Sequence, residues 1–227
     1  MSAAPRLAVA LEISSREASV AASADRGRAI ERSLATARSH ASDLLVEVAS
    51  AVEELGADPG DLDLVVVGTG PGSYTGLRVG AATALGLHRG SGAALVGVPT
   101  FEAIAFDALA PGERGAVIRN AFGGRVYFGA YARTDVDVEA ESRPACIEPG
   151  EIAERLADDA VVIAGEDALR AVGDEPVAAD RERRAERASA ETLLTLGLSR
   201  FERNGDGGPE SIRPLYLRPF EAKVRRR

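Results

Sequence analysis

An α/β fold is predicted by three features of this 227-residue chain: short strand-like segments at the start, an amphipathic helix after them, then a strand, a glycine-rich loop and a second helix in succession. With 45% hydrophobic residues the chain can bury a substantial core, as one domain or as two small ones sharing a seam.

The elements follow in order. Segments 6–13 (RLAVALEI), 18–23 (ASVAAS) and 28–36 (RAIERSLAT) read as an antiparallel meander, separated by turn-prone stretches containing Ser14, Ser15, Asp25 and Gly27. Over 40–55, Leu44, Val48, Val52 and Leu55 recur at spacings of four and three, with Glu47, Glu53 and Glu54 between them. This is the period of an amphipathic helix, and the breaker ADPGD at 57–61 ends it. Segment 62–67 is almost wholly apolar, as a strand buried on both faces requires. The loop GTGPG (68–72), a helix over 73–89 and a strand over 94–98 come next.

The resulting order, β-β-β-α-β-α-β, is that of the ribonuclease H-like unit from which actin-type folds are built in duplicate. Thr100 is the expected N-cap of a helix ending at Pro111 and Gly112. A hairpin over 116–132 turns at Gly123 and Gly124. A last helix runs over 189–201, before the break NGDGGP (204–209) and a tail ending in Arg225, Arg226 and Arg227.

Bulk properties exclude several function classes. The net charge of −8 gives no sequence-independent attraction to phosphate backbones, so if RNA is involved a partner is expected to supply most of the grip. Cys146, the single cysteine, excludes an internal disulfide and multi-cysteine zinc patterns and reads as a structural thiol. No apolar run approaches the ~20 residues of a bilayer span, and the start lacks the charged and apolar regions of a secretory signal. The expected location is cytoplasmic, with no membrane partner.

The loop 68–72 invites comparison with phosphate cradles, because backbone N–H groups at a helix start converge on anions. A P-loop needs Gly-Lys-Ser/Thr where this chain has Gly72-Ser73-Tyr74, and Ser73 holds the third glycine position of the dinucleotide fingerprint. The following helix carries Gly76, Gly80 and Ala84 at intervals of four, a stripe poor in side chains, beside a ridge of Leu77, Ala81 and Leu85. Two readings stay open: the stripe packs on the protein's own sheet, or it is presented to another helix.

Other chemistry is sparse. The histidines, His40 and His88, are too far apart for a two-histidine helical metal motif. Glu12 ends the first strand, where a lone carboxylate reads as a cap or surface group, and no nucleophile elbow surrounds Ser14, Ser15 or Ser73.

GTGPGSYTGLRVGAATALGL (68–87) resembles the signature of the TsaB (YeaZ) family, the non-catalytic partner in bacterial tRNA threonylcarbamoyladenosine formation. LAVALEISSREASVA at the start, HASDLL (40–45), LVGVPTFEAIA (95–105), GGRVYFGAY (123–131) and PLYLR (214–218) are similar in kind and order. The chain departs from the pattern in Glu12-Ile13-Ser14, where relatives usually have Asp/Glu-Thr-Ser, and in Asn120-Ala121-Phe122, where they often have Asp-Ala-Arg. Both changes remove polar groups from loops that would face an actin-type cleft.

The resemblance implies an actin-like fold (the ASKHA, ribonuclease H-like class) in two lobes, each a mixed sheet with flanking helices. Residues 1–103 would form the lobe carrying the partner-binding helices, and 104–227 a smaller one whose C-terminal helix is a candidate to pack back on the first. It implies no catalytic residue, metal or cofactor in this chain, with metal and ATP on partner subunits. Those partners are the catalytic TsaD subunit and the TsaE ATPase; tRNA is reached indirectly through the complex, and the chain alone pairs with itself.

Matching the family's two bundle-forming helices assigns partner binding to Leu44, Leu45, Val48, Val52, Gly76, Leu77, Arg78, Gly80, Ala81 and Ala84, with Arg78 a polar anchor. On that reading Gly80→Leu abolishes pairing and spares the fold. Gly70, Gly72 and Ser73 are candidate contacts for a nucleotide at the subunit junction. The implied role is a dimerisation and scaffolding subunit for threonylcarbamoyl transfer to the N6 of the adenosine beside the anticodon. The alternatives are an actin-like small-molecule kinase or ATPase, or a glycoprotease-like metallopeptidase. Against them stand the absence of acidic, glycine-bearing phosphate loops and of paired histidines.

Overall fold

A computed structural model describes residues 5–25, 27–34, 41–173 and 182–218, so His40, Lys223 and the three terminal arginines lie outside the described residues. The first half contains β1 (Leu7–Glu12), β2 (Ser19–Ala24), β3 (Ile30–Ser33), α1 (Ala41–Glu54), β4 (Leu64–Gly68), α2 (Tyr74–Ser91), β5 (Ala94–Val98) and α3 (Thr100–Ala108). The second half contains β6 (Arg114–Phe122), β7 (Arg125–Arg133), β8 (Val138–Ala140), β9 (Ala145–Ile147), α4 (Ile152–Arg155), β10 (Val161–Ala164), α5 (Glu166–Val172), β11 (Arg183–Arg184), α6 (Ala190–Asn204) and α7 (Gly208–Ser211).

The strands form two mixed sheets. The first has the order β3-β2-β1-β4-β5, antiparallel across β1 to β3 and parallel across β1, β4 and β5. This is the ribonuclease H-like arrangement that the order of elements predicts. The second has the order β11-β10-β6-β7-β8, with β9 also on β7. With helices flanking both sheets, the architecture is actin-like.

Every residue of β1 is buried, because its neighbours are covered on both faces. Leu7, Val9 and Leu11 point to one side and pack with Leu44, Val48 and Val52 of α1 and Ala84 of α2. Ala8 and Ala10 point to the other and pack with Leu193, Leu196 and Phe201 of α6. Alternation within a continuous apolar run is how one central strand serves two cores. Burying each large side chain of α6 contributes about 2 kcal/mol of transfer free energy.

The chain crosses between sheets twice. α3 leaves the first sheet to pack under the second, where Phe101, Ile104 and Ala105 join Val117, Tyr131 and Ile163. α6 returns to the first sheet against β1, β2, β4 and β5. A division at 103/104 therefore falls inside α3, a single continuous helix of 9 residues. α6 comes close to β4 because Gly197 has no side chain: a Cβ there would overlap both Val66 methyl groups.

Polar groups fix the seams. Ser189 caps α6, and its first N–H, on Ala190, donates to Glu31 Oε1 on β3 at 2.8 Å, a carboxylate at a helix N-terminus. Arg200 on the same helix bonds Glu102 of α3 (2.6 Å) and Asp137 of the β7–β8 turn (2.7 Å). Burial pulls the Glu102 carboxyl above the usual carboxylate range, against the opposing effect of Arg200. Arg184 binds both oxygens of Glu113 at 2.5 and 2.9 Å. The hairpin closes at Gly123 and Gly124, whose φ values of 65° and 75° suit a type I′ turn.

Two predictions follow from these contacts. Gly197→Ala should force α6 off β4 and lower stability by about 1–3 kcal/mol, read as a melting temperature several degrees lower. An unchanged melting temperature would mean that the close approach is not required. For Glu113, the hydrogen bond from Arg184 and then that from the Ala110 N–H lower the pKa from 4.5 to about 2. The native state thus holds the proton less tightly than the unfolded chain, and the group's contribution is complete above pH 4.5 and lost as pH falls through 2. The melting-temperature gap between wild type and Glu113→Gln should therefore be widest above pH 4.5 and close toward pH 2.

Candidate functional site

The strand ends of the two sheets meet at a cleft, and the first group there is Glu12. It is 1% exposed, and its carboxylate accepts hydrogen bonds from the Ser14 N–H (2.7 Å) and the Thr100 hydroxyl (3.0 Å). The Thr100 hydroxyl in turn accepts from the Gly70 N–H at 3.1 Å. Gly68 makes room for this carboxylate, since a Cβ would overlap it. Of the expectation of a cap or surface group at Glu12, the cap holds through the Ser14 N–H and the surface position is corrected: α3 and the glycine loop cover the strand end and take the carboxylate inside. Thr100 is not an N-cap. Pro99 precedes α3 in that position, and the threonine hydroxyl serves the tertiary contact.

Across the cleft stands Arg119 of β6. Its guanidinium donates to Ser14 Oγ at 2.9 Å, to the Pro71 carbonyl at 3.2 Å and, through Nε, to Glu186 at 2.6 Å, with a second close contact to the same Glu186 oxygen. It also lies over the Phe101 ring at 5.8 Å. Side-chain exposure is 9% for Arg119 and 11% for Glu186, so the pair is shielded from water. One side chain thus ties the β1–β2 turn, the glycine loop and the segment before α6, and occupies the space between the lobes. Sequence reasoning missed both residues. The available signal was a single charge inside the apolar run AVIRNA, where an unpaired arginine would be costly.

The glycine loop is built for close packing. Gly70 has φ +97°, a backbone state that favours glycine, and the Gly70–Pro71 peptide is cis. A Cβ on Gly72 would overlap the Ser14 backbone, and one on Gly76 would overlap the Ile13 carbonyl. A Cβ on Gly80 would lie 3.0 Å from Ile13 Cδ1. The small-residue stripe thus receives the protein's own β1–β2 turn. The outward reading of Gly80 and Ala84 is corrected, and with it the expectation that Gly80→Leu spares the fold: the added side chain would enter the core against Ile13 and Val67. Of the candidate nucleotide contacts, Gly70 is buried, Gly72 faces Ser14, and only Ser73 is exposed. Its hydroxyl accepts from the Gly76 N–H as the cap of α2.

The proposed partner-binding residues divide by face. Leu44, Val48, Val52 and Leu77 are core residues, at most 2% exposed. Leu45 is 46% exposed beside Val46 at 61%, Arg78 is exposed, and Gly76 and Ala81 are half-buried. The residues that reveal the helical period are those that satisfy the internal sheet, so the free surface is one position out of register with them. Arg78 donates to the Tyr74 hydroxyl at 3.1 Å and lies 5.1 Å from that ring's centre, while Tyr216 packs on Tyr74 with centroids 4.8 Å apart.

Comparison with known proteins places this geometry. The family profile described as "TsaD: tRNA N6-adenosine threonylcarbamoyltransferase" matches residues 34–171, more than half of the chain. The tRNA threonylcarbamoyladenosine biosynthesis protein TsaB of Escherichia coli is 27% identical over 188 residues, covering 80% of this chain and 81% of that protein. An uncharacterized protein of Mycobacterium tuberculosis is 42% identical over 74 residues, a match spanning 33% of this chain and 35% of the relative. Among solved structures, YeaZ from Pseudomonas aeruginosa aligns with a TM-score of 0.77 at 26% identity, over 93% of this chain and 99% of that one. The matched span and the structural alignment agree, and the chain belongs to the family of TsaD, the tRNA N6-adenosine threonylcarbamoyltransferase, as a member of TsaB (YeaZ) type.

Proposed function

We propose that this chain is a non-catalytic, cytoplasmic subunit of tRNA threonylcarbamoyladenosine biosynthesis that acts by binding the catalytic TsaD subunit. Transfer to the N6 of adenosine takes place on that partner. The observation that carries the reading is the filled cleft: where a two-lobed fold of this kind would hold a substrate, Arg119 pairs with Glu186 and donates to Ser14, and Glu12 accepts from the Ser14 N–H and the Thr100 hydroxyl. Outside the cleft, Leu45, Val46, Ala81 and Arg78 on α1 and α2 remain available. Apolar surface flanked by an arginine supports a protein contact, with a standard interface burying about 1,600 Å² in total. In the absence of the catalytic subunit the same helices pair with a second copy, and the TsaE ATPase joins the complex.

The test is to mix the protein with the catalytic subunit of the same organism and follow complex formation by light scattering, with tRNA modification measured in parallel. A one-to-one complex that switches modification on is expected; modification unaffected by this chain would end the reading. Leu45→Asp should weaken that complex at least tenfold, because a charge would be buried in the contact, and should leave the melting temperature unchanged. Arg119→Met should lower stability by about 3 kcal/mol or more through the unpaired Glu186. Glu186→Gln in the same background should restore part of that loss, and no restoration would remove the ion pair from the account of the cleft.

A further inference from the structure

The net charge of −8 conceals an uneven distribution. Of the chain's 35 aspartates and glutamates, none falls in segments 64–101, 114–134 or 211–218. These three segments meet in one place. The extended segment 213–218 crosses the glycine loop, where the Leu215 N–H donates to the Thr69 carbonyl at 2.8 Å, and sets Tyr216 on Tyr74. It ends at the tip of the β6–β7 hairpin, where the Arg218 guanidinium donates to the carbonyls of Ala121 (2.5 Å) and Phe122 (2.7 Å). Beside the terminal segment and the hairpin, Glu148 is paired with Arg125 (3.6 Å) and Glu210 with Arg213 (2.7 Å), while Glu12, Asp206 and Glu186 are engaged by Thr100, the Leu95 N–H and Arg119.

Two aromatic rings stand out to solvent on this surface, Tyr216 at 45% and Phe122 at 68% exposure. Phe122 bears a second cost. Its φ of +59° is a left-handed conformation that a bulky residue rarely adopts, stabilised here by the Phe122 N–H donating to Asn120 Oδ1 at 2.7 Å. A glycine would relieve the backbone, and a polar residue would suit the exposure, so neither cost serves the fold. From this ledge the sequence continues through Lys223, Arg225, Arg226 and Arg227, with Glu221 the one acid after residue 218.

We infer that the ledge formed by Phe122, Tyr216, Arg78 and Arg218 binds single-stranded RNA, with bases stacked on the two exposed rings and phosphates facing the arginines. Exposed rings beside guanidinium groups accept bases of any identity, and a surface whose flanking carboxylates are paired with arginines keeps the local potential favourable to phosphate despite the acidic whole. An acidic protein would also suit the charge and could cover the rings, and it is the competing occupant that the experiment separates from RNA. Arg78 also borders the surface proposed for the catalytic subunit, but RNA binding is measured on this chain alone, so its failure is distinguishable from failure of assembly, which light scattering reads.

The experiment is fluorescence anisotropy of the full chain with a fluorescein-labelled, unstructured RNA of about twelve nucleotides, within the site size of such platforms. Expected are binding that weakens as salt rises and an affinity about tenfold lower in Phe122→Gly and in Tyr216→Ala. Val136→Ser, at an exposed apolar residue elsewhere, should bind as wild type does. Phe122→Gly should also melt at the same or a higher temperature, separating a lost contact from a lost fold. Absence of RNA binding by the wild-type chain, or unchanged binding in both aromatic variants, would overturn the inference. So would saturable binding of polyglutamate, in place of RNA, that Phe122→Gly abolishes, which would assign the ledge to an acidic protein.

Discussion

The first sheet must be covered on both faces, and the chain supplies the two covers from opposite ends of its length. α1 and α2 lie close in sequence to the strands they protect. The other face waits for α6, whose Leu193, Leu196 and Phe201 reach Ala8, Ala10 and Val66 only after the second sheet has been laid down. Alanines on β1 and the bare Gly197 bring the helix close enough to exclude water. Because α3 serves the second sheet and α6 the first, neither half of the sequence holds its own complete core. Contacts of such long sequence separation cost loop-closure entropy before they return burial energy, which favours late docking of α6.

At the seams, burial changes what charge can do. Arg200 is held between Glu102 and Asp137, yet burial still raises the Glu102 pKa, so desolvation outweighs the attraction of the cation. Pairs of this kind add little net stability and a large penalty for any wrong pairing, which makes them markers of alignment. Glu31 acts similarly on α6 by accepting from Ser189 and Ala190, and Arg119 does so for the cleft. The same guanidinium joins the β1–β2 turn, the glycine loop and the segment before α6. The surfaces proposed for interaction lie outside the cleft, on the exposed side of α1 and α2 and on the aromatic ledge where segment 213–218 meets the hairpin.

Most of the elements were legible in the residue order. The strand at 94–98, the second helix, the Gly123-Gly124 hairpin and the helix starting near Ser189 each depend on interactions within a few residues, which leave a local pattern of period or turn chemistry. Motifs spread along the chain indicated the family for a related reason: a close approach such as that of Gly72 and Gly76 to the β1–β2 turn demands particular residues at particular positions.

What the sequence alone determined, then, was the identity of the elements, their order and the family to which the pattern belongs. The tertiary structure decided which face of each helix is free, that Glu12 is enclosed, and that Arg119 meets a carboxylate 67 positions away. A periodic stripe is the same string of letters whether an internal sheet or a partner lies against it. A charge in a strand carries no mark of the residue that will neutralise it, because both are set by layers that meet only after the chain has doubled back on itself.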